Sequence, residues 1–237
     1  TDQDVVVSAV PLLVRHFLDA GLRVRQVCCG ADHTVALDCA GDVWSWGLGD
    51  FGHLGHGDVR ARWAPTIVDT LRGKGTSEVT AGAKHSLCVT RTGALWAWGH
   101  GDNGRLGNGA QGGQLVPFQV TYGGLGACFV TGCAAGEAHS ACVTDSGALW
   151  TWGRGTAGRL GHGEGSEHTI PTRVDALRRQ GARVTQCALG AFHSLCVLTT
   201  GELYAWGSGR YGALGQGDEG LRMLPTRVRV QDSTAGE

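Results

Sequence analysis

Short runs in which apolar and polar residues alternate recur along this chain and predict β-strands. The run that begins at His33 reads HTVALD, and its counterparts read HSLCVT, HSACVT and HSLCVL. A period of two is typical of a strand whose two faces meet different environments. A second run, VWSWG in its first copy, has Val and Trp at alternate positions, and these residues favour strands. No 3.6-residue period is sustained, so the pattern predicts an all-β fold.

The strands belong to a longer segment that occurs four times. Its first copy, GDVWSWGLGDFGHLGHG, begins at Gly41, and it returns at Gly93, Gly147 and Gly201, so successive starts are 52, 54 and 54 residues apart. A repeat of about 50 residues indicates a solenoid or a propeller. Each unit contains four short strands with tight connections, which is the content of a propeller blade.

Five prolines divide the chain into units, since each opens a run that ends in Val. Pro at the first position of a strand loses no ladder hydrogen bond, so we place a strand start at each one. The predicted domain covers 11–230, with flanking segments at 1–10 and 231–237, and 225–230 starts a further blade. The four complete repeats are 11–64, 65–116, 117–170 and 171–224.

Composition restricts the classes of function. Forty-one glycines suit many tight turns, and a hydrophobic content of 42% can form a core. A net charge of −1 provides no basic face for non-specific nucleic-acid binding, so no direct nucleic-acid partner is expected. No apolar run reaches the roughly 18 residues needed to span a bilayer, so no membrane span is expected.

The nine cysteines do not form a pattern typical of a disulfide framework. Cys88, Cys142 and Cys196 share a repeat column with Ala36, and Cys133 shares one with Val residues and another Cys. Cysteine that interchanges with Ala and Val acts as a small buried hydrophobe. We therefore expect reduced thiols and an intracellular protein, either cytoplasmic or nuclear.

Two residue types recur at the period of the repeat and are interpreted as structural. Large rings bury much apolar area, so the second Trp of each W-x-W strand is expected between neighbouring blades. One His per blade lies too far from the next to share a metal ion, so each GxxH histidine is expected to bond turn backbone. These residues are Trp46, Trp98, Trp152 and Trp206, and His33, His85, His139 and His193.

Several short motifs imitate catalytic or cofactor sites. WGLGDFG and its counterparts match G-x-G-x-x-G after a strand, but dinucleotide binding also requires a following helix and an acidic residue about 20 positions on. Here a loop and a proline follow, and the glycines are better explained by positive φ in consecutive turns. No nucleophile elbow, P-loop or H-E-x-x-H motif occurs. The sequence therefore predicts no cofactor, no metal and no catalysis.

The order of motifs resembles that of a known family. GxxHS, then G-x-W-x-W-G, then G-x-x-G-x-L-G-x-G, and then Pro is similar to the repeat of the regulator of chromosome condensation family, over roughly residues 11–228. The resemblance implies a β-propeller of four-stranded antiparallel blades, usually seven of them. With four complete repeats, we interpret this chain as part of a larger propeller. An open part exposes strand edges and blade faces, which favour self-association.

Function is expected where the repeat does not fix the residue. The turns after the W-x-W strands vary in charge and contain Arg and aromatic residues, which are enriched at protein interfaces. We predict a non-catalytic protein-interaction module, with a rim that binds an unidentified protein; a solvated rim without a partner is the alternative. Trp63 either packs under its loop or anchors a partner. The candidate residues are Asp50, Phe51, Asp102, Asn103, Arg105, Arg154, Arg159, Arg210, Tyr211 and Trp63.

Two further functions follow from the resemblance. The founding member of the family is a nucleotide exchange factor for the GTPase Ran, so a small GTPase is an alternative partner. Exchange there relies on a wedge inserted in one blade, and spacings of 52, 54 and 54 residues leave no room for it between the repeats seen here. A plant member senses UV-B light with Trp inside GxxHT motifs, whereas the pairs here are Ala-Asp, Ala-Lys, Glu-Ala and Ala-Phe.

Overall fold

The computed structural model describes residues 10–229 and shows four separate sheets, each of four antiparallel strands. The predicted all-β architecture of four-stranded blades is confirmed. The four blades follow one another in chain order and do not close into a ring. The remaining parts of the predicted flanks, at 1–9 and 230–237, lie outside the described residues. Within 10–229, no helix is long and apolar enough to cross a membrane.

The four strands have the same lengths in every blade. Blade 1 contains β1 Val24–Cys29, β2 His33–Asp38, β3 Val43–Gly47 and β4 Arg62–Ile67. Blade 2 contains β5 Thr76–Ala81, β6 His85–Thr90, β7 Leu95–Gly99 and β8 Gln114–Gln119. Blade 3 contains β9 Val130–Ala135, β10 His139–Thr144, β11 Leu149–Gly153 and β12 His168–Arg173. Blade 4 contains β13 Val184–Leu189, β14 His193–Leu198, β15 Leu203–Gly207 and β16 Arg222–Arg227.

A short helical turn that the sequence pattern did not reveal precedes the first strand of each blade. Two are α-helices, α1 Arg15–Asp19 and α2 Asp175–Arg179, and two are 3-10 turns at Asp69–Leu71 and Tyr122–Ala127. Every one buries a single large apolar side chain against the neighbouring blades. These side chains are Phe17, Leu71, Leu125 and Leu177.

The strand that contains each proline closes a blade and does not open one. Pro65 is the fourth residue of β4, which pairs with β3, and 222–227 likewise pairs with β15 as the fourth strand of blade 4. The expectation that 225–230 starts a further blade therefore differs from the structure. Proline is tolerated inside this strand because it is the outer edge of the sheet, where one row of N–H groups needs no ladder partner. Pro11–Val14, in the same column, has no regular secondary structure.

The hydrophobic core lies between blades. Each of its three clusters combines residues from two adjoining sheets. A blade alone would therefore expose the apolar side chains of both its faces to water. Trp98, Trp152 and Trp206 are fully buried in these layers, whereas Trp46, for which the same was expected, is half-buried because no blade precedes blade 1 among residues 10–229. Burial of one such ring contributes roughly 4–6 kcal/mol before entropy is counted. Stability should therefore sum over blade interfaces.

A hydrogen-bonded relay crosses every interface beside the buried indole. Between blades 2 and 3, Nε2 of His85 lies 2.8 Å from the Ser140 hydroxyl, which donates to the Arg105 carbonyl oxygen at 2.7 Å. The Trp152 indole N–H donates to the same carbonyl oxygen at 2.9 Å. The Ser140 hydroxyl has one proton and donates it to the Arg105 carbonyl, so His85 must donate its Nε2 proton to the Ser140 oxygen. The other relays are His33–Ser86–His53–Trp98 and His139–Ser194–Arg159–Trp206.

His33, His85 and His139 therefore bond to the next blade and not to turn backbone as expected, whereas Nε2 of His193, on the last described blade, has no hydrogen-bond partner among residues 10–229. Their serine partner is the residue after the following histidine, a relation that depends on blade order and cannot be read within one repeat. Close approach also fixes one glycine of the preceding turn. Gly107 has φ +75°, and a Cβ there would lie 2.9 Å from Nε1 of Trp152. Only glycine adopts a positive φ without strain and also leaves room for the indole of the next blade.

Burial keeps the relay histidines neutral. Loss of hydration lowers the pKa of His33 and of His139 to about 3, and that of His85 well below its usual range. The unfolded chain binds protons at these sites from about pH 6.5 downward, whereas the folded chain does not. Folded stability from these sites is complete above pH 6.5 and falls as the pH drops towards the folded pKa values.

We predict that acid weakens the fold between pH 6.5 and 4. Each fully buried relay histidine should remove about 1.4 kcal/mol of unfolding free energy per pH unit in this range. Urea denaturation at pH 7.5, 6 and 5 would measure it. His139→Gln should make the dependence shallower, whereas His16→Gln, at an exposed position, should not. An unfolding free energy that stayed constant from pH 7.5 to 5 would contradict the buried neutral state.

We also predict that Ser140→Ala destabilises the protein. The change leaves His85 Nε2 without its partner and removes one donor from the Arg105 carbonyl. A buried polar group left unpaired costs about 1–3 kcal/mol. Ser146→Ala, at an exposed turn, should stay within about 0.5 kcal/mol of the parent. Equal unfolding midpoints for the two variants would show that the relay contributes little.

Candidate interaction surface

The glycine turns that follow the third strand of each blade form a continuous edge, which we call the rim. Neighbouring turns touch directly. The Phe51 ring lies 4.4 Å from the His100 ring, and the Lys84 ammonium stands 4.3 Å from the centre of the same phenyl ring. The Asn103 side-chain amide donates to Glu167 at 2.7 Å. The rim therefore joins adjacent blades through side chains as well as through backbone.

Three rim turns place a non-glycine residue in the left-handed backbone region. Asn103, Ala157 and Tyr211 have φ values of 60°, 63° and 58°. Asn tolerates this region, but a bulky side chain there is an outlier. Left-handed backbone costs a non-glycine residue roughly 1–2 kcal/mol. Tyr211 is also 93% exposed, so no packing within residues 10–229 compensates for this conformation.

Two of the predicted rim arginines are buried and hold blades together. Arg105 is 6% exposed, and its guanidinium donates to the carbonyl oxygens of Asp102 and Glu137. Arg159 is fully buried, donates to the Ala191 carbonyl at 2.7 Å, and lies 4.6 Å from the Phe192 ring centre. Both arginines span from one blade to the next. They share a repeat column with His53, which is also buried, but the burial of this column is evident only from the structure.

The other predicted rim residues reach solvent to different extents. Asp50, Asp102 and Arg210 are exposed, whereas Phe51 and Arg154 are half-buried. Arg154 donates from Nε to the Thr156 hydroxyl at 3.2 Å, which leaves the rest of its guanidinium available. Among the predicted rim residues that reach solvent, the acidic groups therefore lie on blades 1 and 2 and the basic groups on blades 3 and 4, and Lys84 of blade 2 and Glu167 of blade 3 border the same edge.

One close acid–histidine contact on the rim is not an ion pair at neutral pH. His100 Nε2 lies 3.2 Å from the Asp102 carboxylate. Desolvation and the nearby Arg105 charge lower the pKa of His100, and this outweighs the attraction of Asp102. His100 is therefore neutral at pH 7, and its contact with Asp102 is a hydrogen bond at most.

Trp63 does not pack under its loop. Its side chain is 90% exposed at the start of β4. The same position in later blades carries Leu115, Thr169 and Met223, and each lies against a turn glycine of the blade before it. Trp63 is exposed because no blade precedes blade 1 among the described residues. It belongs to an open blade face and not to the rim.

The rim chemistry suits recognition more than reaction. Within residues 10–229, no group of three or more His, Cys, Asp or Glu side chains could hold a metal ion. The buried thiols are poor nucleophiles, since desolvation raises the pKa of Cys88 to about 12 and that of Cys142 well above its usual range. The exposed groups are separate charges and aromatic rings on a rigid edge.

Comparisons with known proteins identify the repeat. A family model described as the RCC1-like domain matches residues 2–236. The chain is 37% identical over 210 residues to the E3 ubiquitin-protein ligase HERC2 of Homo sapiens, covering 87% of this chain and 4% of that protein. It is 38% identical over 216 residues to the ultraviolet-B receptor UVR8 of Arabidopsis thaliana, covering 91% of this chain and 48% of the receptor.

Solved structures agree with the fold. Human WBSCR16 aligns with a TM-score of 0.78 at 27% identity, over 87% of this chain and 53% of that one. Prp20p of Saccharomyces cerevisiae aligns with a TM-score of 0.77 at 23% identity, over 90% of this chain and 52% of that one. This chain thus spans about half of these propellers. With the family model matched over nearly its whole length, the chain belongs to the RCC1-like family of β-propeller repeat proteins.

Proposed function

We propose that this chain is a non-catalytic protein-interaction module, part of a larger propeller, that binds a protein partner through its rim. The proposal rests on the different exposure of two repeat columns of each turn, which lie three positions apart. The column of His53, Arg105 and Arg159 is buried between blades. The column of Asp50, Asp102, Thr156 and Arg210 is exposed, and it is acidic on blades 1 and 2, uncharged on blade 3 and basic on blade 4.

This difference supports protein binding, because a rigid turn backbone presents exposed side chains that differ among the blades. The glycine turns are fixed by backbone hydrogen bonds and by the buried arginines, so exposed side chains are presented without ordering a loop. A preorganised surface lowers the entropic cost of association. Separate acidic and basic regions select a partner with the opposite arrangement and speed the encounter more than they raise affinity.

The relatives fit a module that serves different proteins. The region that aligns with this chain is 4% of a ubiquitin-protein ligase and 48% of an ultraviolet-B receptor. A shared propeller in proteins with such different names suits a recognition role, with other activities supplied elsewhere in each chain. Free thiols and the absence of a spanning helix in residues 10–229 are compatible with a cytoplasmic or nuclear site of action.

Exchange on a small GTPase is the weaker alternative. One similar structure, Prp20p, is described with its binding to Gsp1p and histones, but at 23% identity the likeness concerns the fold. Among residues 10–229, connections between strands are similar in every blade, and none forms an inserted hairpin of the kind expected for an exchange wedge. The rim proposal does not require such an insertion.

We predict that Arg154→Ala and Arg210→Ala each weaken partner binding without weakening the fold. Both side chains reach solvent, so the unfolding free energy should stay within about 0.5 kcal/mol of the parent. Binding should fall about tenfold, as for loss of a contact worth about 1.4 kcal/mol. Quantitative affinity capture with the immobilised chain would identify proteins that both variants lose, and titration of one such protein would measure the change.

Two further variants control this experiment. Arg91→Ala removes an exposed arginine from the turn after β6, at the end of the strands opposite the rim, and should leave capture unchanged. Arg159→Ala should lower the unfolding free energy by about 1–3 kcal/mol because buried carbonyl groups lose their donor. If no protein were captured, or if Arg91→Ala removed the same proteins as Arg154→Ala, the rim assignment would be wrong.

A further inference from the structure

Two blades have cysteines directly opposite each other on neighbouring strands. Cys133 of β9 lies opposite Cys142 of β10, and we call these two residues the blade 3 pair. Cys187 of β13 lies opposite Cys196 of β14, and we call these the blade 4 pair. All four thiols are free. The first pair lies in the layer between blades 2 and 3 and the second in the layer between blades 3 and 4, so neither belongs to an outer face of the row.

The hydrogen-bond pattern of the two ladders places both pairs at the same kind of site. The Gly136 N–H donates to the His139 carbonyl oxygen at 2.9 Å, and the Gly190 N–H donates to the His193 carbonyl oxygen at 3.0 Å. Hydrogen-bonded and non-hydrogen-bonded pairs alternate along an antiparallel ladder. Each cysteine pair lies three steps further along its ladder and therefore occupies a non-hydrogen-bonded site.

A site of this kind meets the distance requirement of a disulfide. At a non-hydrogen-bonded site the two Cα atoms lie about 4.5 Å apart, and both side chains leave the same face of the sheet. A disulfide accepts Cα separations of roughly 4.4–6.8 Å. The two opposed residues exchange no backbone hydrogen bond with each other, so a bridge between them breaks none. The strands therefore hold the thiols of each pair within bridging distance without any change of register.

The four blades form an internal series at these two positions. Blade 1 has Val27 opposite Ala36, and blade 2 has Val79 opposite Cys88. Only blades 3 and 4 have cysteine on both strands. Packing between blades therefore does not require a pair of thiols. Cys88 is fully buried, as Cys142 is, and provides a thiol in the same setting that has no cysteine across the ladder.

The geometry points to the blade 3 pair and the blade 4 pair as two oxidisable dithiol sites, at which hydrogen peroxide forms cross-strand disulfides. One thiolate attacks a peroxide oxygen, the O–O bond breaks, and the hydroxide that leaves takes up a proton to form water. The second thiol then displaces the hydroxyl group of the resulting sulfenic acid, which leaves as a second water while the S–S bond forms. Two thiols thus lose two electrons to one peroxide, and a dithiol reductant reverses the change. This inference goes beyond the proposed rim function and does not depend on it.

Burial makes the reaction slow and leaves its product unaffected. Cys133 is 6% exposed and Cys142 is fully buried. Burial also raises the pKa of both thiols well above their usual range. Because the thiolate is the reacting form, oxidation waits for local opening of the inner strands. Once formed, a bridge closes the short loop 133–142 and lowers the entropy of the unfolded chain. We therefore expect bridging under prolonged oxidation.

The first test maps the bridges in the whole chain after exposure to hydrogen peroxide, with and without urea below the unfolding transition to increase local opening. Remaining thiols are alkylated in denaturant, and the chain is cleaved with glutamyl endopeptidase and chymotrypsin without reduction. Glu137 separates the cysteines of the blade 3 pair, and Phe192 separates those of the blade 4 pair. Mass spectrometry should find both pairs of linked peptides, each about 2 Da lighter than its two free peptides together. Cys88 should be alkylated, and dithiothreitol should remove both links.

The second test changes the number of bridges by substitution. Cys133→Val and Cys187→Val give blades 3 and 4 the combination found in blade 2, so each should fold normally and lose only the bridge of its own blade. Val79→Cys should add a third bridge, to Cys88, because blade 2 has the same register and the same hydrogen-bond phase. The bridged parent should unfold at a higher urea concentration than the reduced parent. The double variant Cys133→Val with Cys187→Val should show no such difference.

Three outcomes would overturn the inference. If both pairs were recovered as free thiols or as separate sulfinic acids, even in urea, the strands would not hold them at bridging distance. If Val79→Cys gave no bridge, or if cysteines of different blades were linked as often as opposed ones, register would not determine the bond. If the bridged parent unfolded at a lower urea concentration than the reduced parent, bridging would distort the layer between blades.

Discussion

One backbone carbonyl oxygen in each glycine turn connects every blade to the next. Between blades 2 and 3 it belongs to Arg105, and it accepts both the Ser140 hydroxyl and the Trp152 indole N–H. The serine in turn requires a donor, which is the neutral histidine of the blade before. Large apolar rings could slide against each other without such contacts, since hydrophobic burial has no direction. The paired hydrogen bonds fix the angle at which the next sheet docks.

This constraint explains why some turn positions are fixed and others are free to vary. The residue that supplies the carbonyl oxygen is buried, and where it is Arg105 or Arg159 its side chain spans to the next blade as well. The exposed residues three positions earlier, Asp50, Asp102 and Arg210, make no hydrogen bond or ion pair to a neighbouring blade among residues 10–229. Surface recognition can therefore change without loss of the fold, which is the condition for a scaffold that serves many functions.

The sequence was sufficient for the strands of a single repeat, although it did not reveal the helical turn that precedes each blade. Periodicity predicted four strands per unit, and the Trp columns pointed to the layers between blades. It was insufficient where a residue acts across repeats. The histidine partner is a serine about 53 residues further on, and the strand of Pro65 pairs backwards with β3 instead of starting the next sheet. A periodic sequence permits either division of the repeat, and only strand pairing selects one.

The same logic makes the ends of the row chemically different from its interior. Every internal interface uses the histidine and the turn carbonyl of one blade and the hydroxyl and indole of the next, so the hydroxyl and indole of blade 1 and the histidine and turn carbonyl of blade 4 have no such partner among residues 10–229. These groups belong to the pattern of the repeat, because Thr34, Trp46 and His193 keep the hydroxyl, indole and imidazole that the internal interfaces use. A face that keeps its hydrogen-bonding groups and its exposed aromatic ring has the chemistry of an interface. The groups that join blades 1 to 4 thus also make the outer faces of this row complementary to further blades of the same repeat.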